Sequence, residues 1–401
     1  MNALAFAWRS LVRQPARAGL GIAGVAAVAA LLFDMLLLSR GLVVSMQDLL
    51  DREGFDVRVT ATASPPGTGP RLRQASRSAA ALMALPEVDE AVPLGLSEVA
   101  FDAGGDVGSQ QASLFAADTS RRRPWTVVEG RDLAGGGQPT GMVLLNRNLA
   151  AELGRRPGDS VTLRAFCGAG RSALPLVSLQ VAGIAEFPFD DPTQFSAATT
   201  LGDAARACGE ENRDEADLLL VASSESAGAE NTRAAIQFLL PDLYALTNEE
   251  VVARLQQGEF SYFRQISTVL VAVTLGFSLL LITVLLTVSV NQRLGEIAAL
   301  RALGFSRRRV VADVVCESAL MVGIGGALAL PLGMALAGWL DRILKVMPGI
   351  PAELHFFVFE PRAVVVHVAL IVATAVLAAL YPMQIVARLP IAATLRNEAV
   401  S

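Results

Sequence analysis

One lysine, two histidines and three cysteines among 401 residues leave little material for catalysis or metal binding. The single Lys345 stands in a Lys-Val-Met-Pro context and no G-x-x-x-x-G-K-[ST] occurs, so the chain has no phosphate-binding loop of its own. His355 and His367 belong to no H-E-x-x-H, which excludes a hydrolytic metal site of that kind, and neither has the setting of a Ser-His-acid triad. Cys167, Cys208 and Cys316 show no C-x-x-C spacing, which argues against zinc. Charge is scarce too: 18% of residues carry one, against roughly a quarter in an ordinary soluble domain. The net charge of −5 gives no reason to expect nucleic acid.

What the chain has in quantity is apolar residues, 53% of the total, and they are concentrated. A helix needs about 20 apolar residues to cross a bilayer. Residues 266–290, 318–340 and 363–387 contain no Asp, Glu, Lys or Arg, and residues 18–39 contain only Asp34. The first run follows Arg9, Arg13 and Arg17, as a signal peptide would. It exceeds the roughly 7–15 residues of a signal's apolar core, and no A-x-A site follows Leu38, so it reads as an uncleaved anchor. Ahead of it, Leu4, Trp8, Leu11 and Val12 set against Arg9 and Arg13 pattern an interfacial amphipathic helix.

Arginine placement sets the orientation. The N-terminal stretch is purely basic. Arg293, Arg301, Arg307, Arg308 and Arg309 face a single Glu296 between the second and third runs, and Arg388 and Arg396 face Glu398 in the tail. With four spans all three segments share one side, which places both termini in the cytoplasm. Residues 52–258 then form one extracytoplasmic domain with 18 Arg against 27 Asp and Glu, a net of −9.

That domain reads as mixed α/β with two lobes. Strand patterns occur at Phe55–Thr60, Ser160–Arg164, Leu179–Ile184 and Ala216–Val221, and helical patterns at Gln74–Leu85, Asn146–Leu153, Ala227–Leu240 and Asn248–Gln257. Residues 61–70 and 133–141 are Gly-, Pro- and Thr-rich loops. The fold class is therefore a membrane α-helical protein of four spans, with a large mixed α/β domain inserted between the first and second.

Several motifs have plain readings. Gly19, Gly21 and Gly24 spell G-x-G-x-x-G, but inside a span small residues serve close helix packing rather than a dinucleotide. Gly325, Ala329, Gly333 and Ala337 form a small-residue stripe in the third span, for packing within the subunit or for a dimer interface, and Pro331 should kink that helix. Asp34, Asp313 and Glu317 are costly in a bilayer. Arg309 lies one turn from Asp313, and structural pairing is expected of all three acids in preference to a proton relay. Arg121-Arg122-Arg123 reads as a solvated loop. Cys167 and Cys208 share the outer domain, where oxidation is possible, but no spacing rule joins them. Cys316 reads as a small packing residue.

The segment Leu294-Gly-Glu-Ile-Ala-Ala-Leu-Arg-Ala-Leu-Gly-Phe-Ser-Arg-Arg-Arg309 strongly resembles the cytoplasmic signature of FtsX/MacB-type ABC transporter permeases, the type VII or mechanotransmission group. In that family the signature leads into an E-[AS]-L stretch and a glycine-rich third span; here the counterparts are Glu317-Ser-Ala-Leu320, then Gly323, Gly325, Gly326 and Gly333. Trp8–Arg17 is similar to the family's N-terminal opening. Trp125–Arg131, Asn146–Leu153 and Gly158-Asp159 are similar to the periplasmic lobe of MacB-type members. The tail from Tyr381-Pro382 to Leu395-Arg396 is similar too, with a Pro-to-Leu-Arg spacing one residue longer than usual.

The resemblance implies a dimeric inner-membrane permease bound to separate ATPase subunits, which would hold the ATP and Mg; no catalytic residue, cofactor or metal is expected on this chain. Arg293, Glu296, Ile297, Leu300, Arg301, Leu303 and Gly304 would form the ATPase-coupling helix, with Leu300 and Leu303 as apolar anchors and Gly304 as its stop. The expected organisation is an amphipathic helix at 1–17, spans at 18–39, 266–290, 310–340 and 363–383, and stalks plus outer domain at 40–265. The coupling segment occupies 291–309, a short outer loop 341–362 and a cytoplasmic tail 384–401. Stalks are expected at Gly41–Leu50 and Val251–Phe263. Three roles follow from the resemblance: a MacB- or DevC-like exporter working with a periplasmic adaptor, a LolC/LolE-like lipoprotein releaser, or an FtsX-like signalling device acting on a cell-wall hydrolase. The last has typically smaller loops.

Overall fold

The computed structural model describes residues 8–9, 11–13, 15–64, 66–67, 69–102, 109–118, 122–133, 140–167, 174–210, 213–257, 261–291, 306–348, 350–351 and 353–387. They form two compact units, one of residues 1–42, 259–342 and 355–401, the other of residues 43–258 and 343–354.

The first unit is helical. Its four long helices are Pro15–Arg52, whose last ten residues belong to the second unit, Ser261–Asn291, Arg307–Leu344 and Pro361–Ala387. Each has a stretch long and apolar enough to cross a membrane. The first helix runs on past Ser39 to Arg52, over the residues expected as a stalk. The third begins at Arg307, inside the segment 291–309 assigned to coupling, and the fourth runs past Met383 to Ala387, so these helices are longer than the spans assigned from hydropathy. Hydroxyls inside these helices close on their own backbone, Thr274, Thr283 and Thr374 donating to the carbonyls of Leu270, Leu279 and Leu370 at 2.7, 2.6 and 2.8 Å. Lipid offers such groups no alternative partner.

The second unit is built on ten strands in one sheet: β1 (Val57–Thr60), β3 (Val88–Asp102), β4 (Ser109–Ala117), β5 (Thr126–Gly130), β6 (Met142–Leu145), β7 (Ser160–Phe166), β8 (Val177–Glu186), β9 (Ser196–Thr199), β11 (Leu218–Ser223) and β12 (Tyr244–Thr247). The short pair β2 (Leu72–Arg73) and β10 (Glu215–Ala216) stands apart. A single strand expected at Ala216–Val221 is thus two, broken at Asp217, whose carboxylate turns to accept the Leu96 amide at 2.7 Å.

Pairing order divides the sheet. β12, β1, β11 and the first half of β3 run antiparallel. The second half of β3 pairs with β4 on one side and β7 on the other, and the ring β3-β4-β9-β6-β8-β7 closes on itself. A small closed barrel must be filled by its own side chains. Here Val99, Phe101, Leu114, Val143, Leu145 and Leu163 fill it. The helices Arg147–Leu153 and Leu201–Ala207 pack their buried faces onto the same core. Asn146 caps the first by accepting the Leu149 amide at 2.9 Å, and Gly154 ends it with φ 60°. Cys167, just after β7, is disulfide-bonded to Cys208, just after the second helix, with Cα atoms 5.6 Å apart. A crosslink closing a loop of that length removes about 4 kcal/mol of unfolded-chain entropy on the simplest model.

The four-stranded part has its own core. Val57 and Val59 of β1 meet Ala79, Leu82 and Ile236 from the helices Ala75–Leu82 and Gly228–Leu239. Full burial of each of the valine, leucine and isoleucine side chains contributes roughly 1.5–3 kcal/mol.

Candidate functional site

Among the described residues, two of the places that gather buried polar or tightly fitted groups adjoin the long helices. The first lies in the helical unit. The stripe Gly325, Ala329, Gly333 and Ala337 runs along the first membrane helix. A Cβ on Gly325 would come within 2.8 Å of the Val25 side chain and 3.1 Å of the Ile22 carbonyl; one on Gly333 would come within 2.8 Å of Phe33 and 3.2 Å of the Ala30 carbonyl. Ala329 is fully buried against Ala29 and Ala30, and Ala337 packs with Phe33 and Leu37. Of the dinucleotide-like glycines, Gly24 faces Leu281 and Gly21 faces Met321 at an ordinary contact distance of 3.5 Å, and Gly19 faces open space, so the close approach belongs to the stripe alone. Without a hydrophobic force between helices in lipid, such close approach supplies the attraction.

Asp34 and His367 sit buried in this unit, and neither side chain has a hydrogen-bond partner among the described residues. No partner for the structural pairing expected of Asp34 is found among the described residues. The His367 ring lies against Phe33, centroids 5.0 Å apart. Glu317 is buried and engaged by a neighbour. The side chains of Arg309 and Asp313 lie outside what the structure describes, as do Arg293, Glu296, Ile297, Leu300, Arg301, Leu303 and Gly304 of the expected coupling helix. Leu11 packs into the bundle core, whereas Trp8 and Val12 stay exposed. Cys316 is a free thiol of intermediate exposure.

The second place is where the chain leaves the first long helix and later begins the helix Asn248–Gln257, which precedes the second membrane helix. Strand alternation turns Val57 and Val59 to one face and Arg58 to the other. Arg58, 8% exposed, bonds Glu53 at 2.5 Å and donates to the Asn248 carboxamide. The Asn248 amide group in turn donates to Asp51 at 2.7 Å and to the Phe55 carbonyl at 3.0 Å, while the Asn248 backbone amide donates to the Asp56 carbonyl at 3.0 Å. The Asp56 carboxylate accepts from Ser223 of β11 at 2.8 Å. Burial pushes the Glu53 carboxyl above the ordinary carboxylate range, against the pull of Arg58, and lowers the guanidinium. An arginine remains charged in such a place, so the pair must be held by geometry.

The arginine run contributes here as well. Arg122 donates to the Gly54 carbonyl at 2.8 Å and to Asp89 at 2.9 Å, its amide donates to Glu90 at 2.9 Å, and Arg123 pairs with Asp132 at 2.8 Å. Two of the three residues read as a solvated loop are thus anchored. Sequence inspection missed this cluster because Arg58 and Asn248 lie 190 positions apart. The local signal was Asp51, Glu53 and Asp56 gathered around one arginine inside an otherwise apolar strand.

Against known proteins, the family model for the FtsX-like permease C-terminal region matches residues 268–391, and the model for the MacB-like periplasmic core domain matches residues 19–239. Among solved structures, the periplasmic region of MacB from Actinobacillus actinomycetemcomitans is 11% identical, with 51% of this chain and 94% of that one covered and a TM-score of 0.37. The extracellular domain of the noncanonic ABC-type transporter YknZ from Gram-positive bacteria is 8% identical, with coverages of 48% and 99% and a TM-score of 0.34. No curated protein matches the chain by sequence. Permeases of this family work with ABC ATPase partners. A membrane bundle bearing the permease region, with a periplasmic-type domain between its first two helices, places this chain in the FtsX/MacB-type ABC transporter permease family.

Proposed function

We propose that the chain is the permease subunit of a mechanotransmitting ABC transporter. ATP and Mg are bound and turned over by partner ATPase subunits that dock on residues 293–305. Two copies of the permease, or one copy and a paralogue, form the membrane part, with both termini cytoplasmic. Movement started by the ATPases passes along the first and second membrane helices into the outer domain. A lipid, lipoprotein, peptide or drug-type substrate is then expelled or extracted on the outer side, with or without an adaptor, and does not cross the bilayer through this chain.

The observation that supports this reading is the polar cluster around Arg58. Asp51 and Glu53, at the end of one stalk, and Asn248, at the start of the other, are bonded through the same guanidinium and amide. A displacement of either stalk end is thereby delivered to β1 and, through Asp56, to β11. A merely structural outer domain needs no such junction at the two points where the chain enters and leaves it.

The test is co-purification of the full chain with its ATPase and assay of ATP turnover in nanodiscs. A stable complex of two ATPases and two permeases is expected, and charge reversal at both Glu296 and Arg301 should abolish most permease-dependent turnover. Absence of any complex, or turnover indifferent to the reversal, overturns the docking assignment.

A further inference from the structure

Two adjoining cavities of about 930 Å³ and about 270 Å³ in the outer domain share Arg71, Ser97, Glu210, Arg213, Glu215 and Asp217, and so form one cleft. Its walls differ in kind. Leu96, Phe115 and Phe166 supply apolar surface: Phe166 is 42% exposed, and Phe115 is backed by Phe187 with ring centroids 5.2 Å apart.

The remaining wall is charged, and its positive groups are already occupied. Arg71 lies 4.0 Å from Glu210 and 3.7 Å from Asp217, and Arg213 lies 3.0 Å from Glu210. Asp214 accepts the Ser76 amide and hydroxyl at 2.9 and 2.8 Å. Glu98, Asp118 and Glu215 have no ion pair among the described residues. Among the described residues Asp118 accepts only a 3.4 Å bond from the Leu201 amide. Burial raises the Asp118 carboxyl above its ordinary range, and the nearby Asp214 adds to the rise. Two arginines against six acids give the described lining residues a formal charge of −4.

A concave, partly apolar site with convergent polar groups of one sign is the usual form of a small-ligand site. The apolar wall supplies affinity, and the uncompensated carboxylates select the sign of the ligand. We infer that this cleft binds cationic amphiphiles, with a protonated amine or guanidinium beside Asp118 and Glu215 and an apolar body on Leu96, Phe115 and Phe166. This deepens, and rests on, the transport reading above, since it names the chemical class that the outer domain would handle. An anionic lipid headgroup meets repulsion here. A cation can also lie over the exposed face of Phe166.

The test is calorimetric titration of the full chain in nanodiscs of zwitterionic lipid, without the ATPase. The probes are the N-acetylated, amidated tetrapeptide Phe-Arg-Phe-Arg, its neutral isostere with citrulline for arginine, and 4-phenylbutylamine. Binding of either cationic probe is expected, with the citrulline peptide about tenfold weaker or worse. The double variant Asp118→Asn, Glu215→Gln should weaken the cationic probes by about tenfold, the size of one to two partly exposed ion pairs. Phe166→Ser, at an exposed position, should weaken charged and neutral probes alike and serves if the double variant does not fold. Binding of the peptide alone or of the amine alone identifies the source of the cation, and both support the site. Equal binding of charged and neutral peptides, insensitivity to the acidic substitutions, or no binding of either cation overturns it. Because the ATPase is absent, a failed titration leaves the coupling reading standing. A chain that binds the probes yet forms no ATPase complex sinks the coupling reading and keeps the cleft.

Discussion

The stalk junction and the first-to-third helix seam each fix the geometry of their unit, by opposite means. Around Arg58 the structure buries charge and satisfies it: guanidinium, two carboxylates and a carboxamide exchange bonds with no donor of Asn248 left over. Along the seam the contacts are apolar and depend on what is missing, the side chains of Gly325 and Gly333. A few helical positions away, Asp34 is buried with neither oxygen bonded among the described residues. The difference follows from the solvents. In water a buried charge competes with hydration, so it persists only where bonds replace that hydration. In lipid apolar burial discriminates little between helix faces, so shape sets the register, and a costly acid is retained only for a reason other than packing.

The largest effect should come from unbalancing the junction. Arg58→Met leaves Glu53 buried without its partner and should cost about 3–5 kcal/mol of outer-domain stability. Adding Glu53→Gln should restore much of that, since an apolar or neutral replacement of both partners is often tolerated. Thermal unfolding of the single and double variants measures it, and equal losses would show that the two groups do not act as a pair.

At the seam, Gly333→Leu forces a side chain toward Phe33 and the Ala30 carbonyl and should cost about 1–3 kcal/mol of bundle stability. The contrast would fail if Gly333→Leu were neutral while a lipid-facing change such as Leu380→Ala destabilised the bundle more. Asp34→Asn tests the opposite sign. Removing an unbonded buried carboxylate should leave the bundle equally or more resistant to thermal unfolding, by up to about 1–3 kcal/mol. A clear loss of stability would reveal a bonded partner and bring the seam and the junction under one rule.

The sequence shows the membrane helices because length and hydropathy are local properties, and it shows β7 and β8 because their apolar residues alternate. β4, Ser-Gln-Gln-Ala-Ser-Leu-Phe-Ala-Ala, and β3, with Pro93 and Gly95 inside it, carry no such pattern; partners on both sides make them strands. The barrel is illegible for the same reason, since closure is a property of the pairing. Cys167 and Cys208 meet across 41 positions because the barrel rim and a helix end converge, which no spacing rule anticipates. In the helical unit the small-residue stripe was visible in the sequence, whereas its partner helix was not.

The place of β1 bears on how the protein is made. Val57 pairs with both Val221 and Thr247, so the first strand to leave the membrane lies between two of the last. Until residues 218–247 have been translocated, β1 has no neighbour on either side, and Arg58 has no Asn248 to bond. The barrel, whose six strands lie between residues 88 and 199, can close while the rest is still threading. Biogenesis should therefore pass through a stage with a finished barrel and an open, apolar stub tethered to the membrane. At that stage an extracytoplasmic chaperone or a protease would find the chain most accessible.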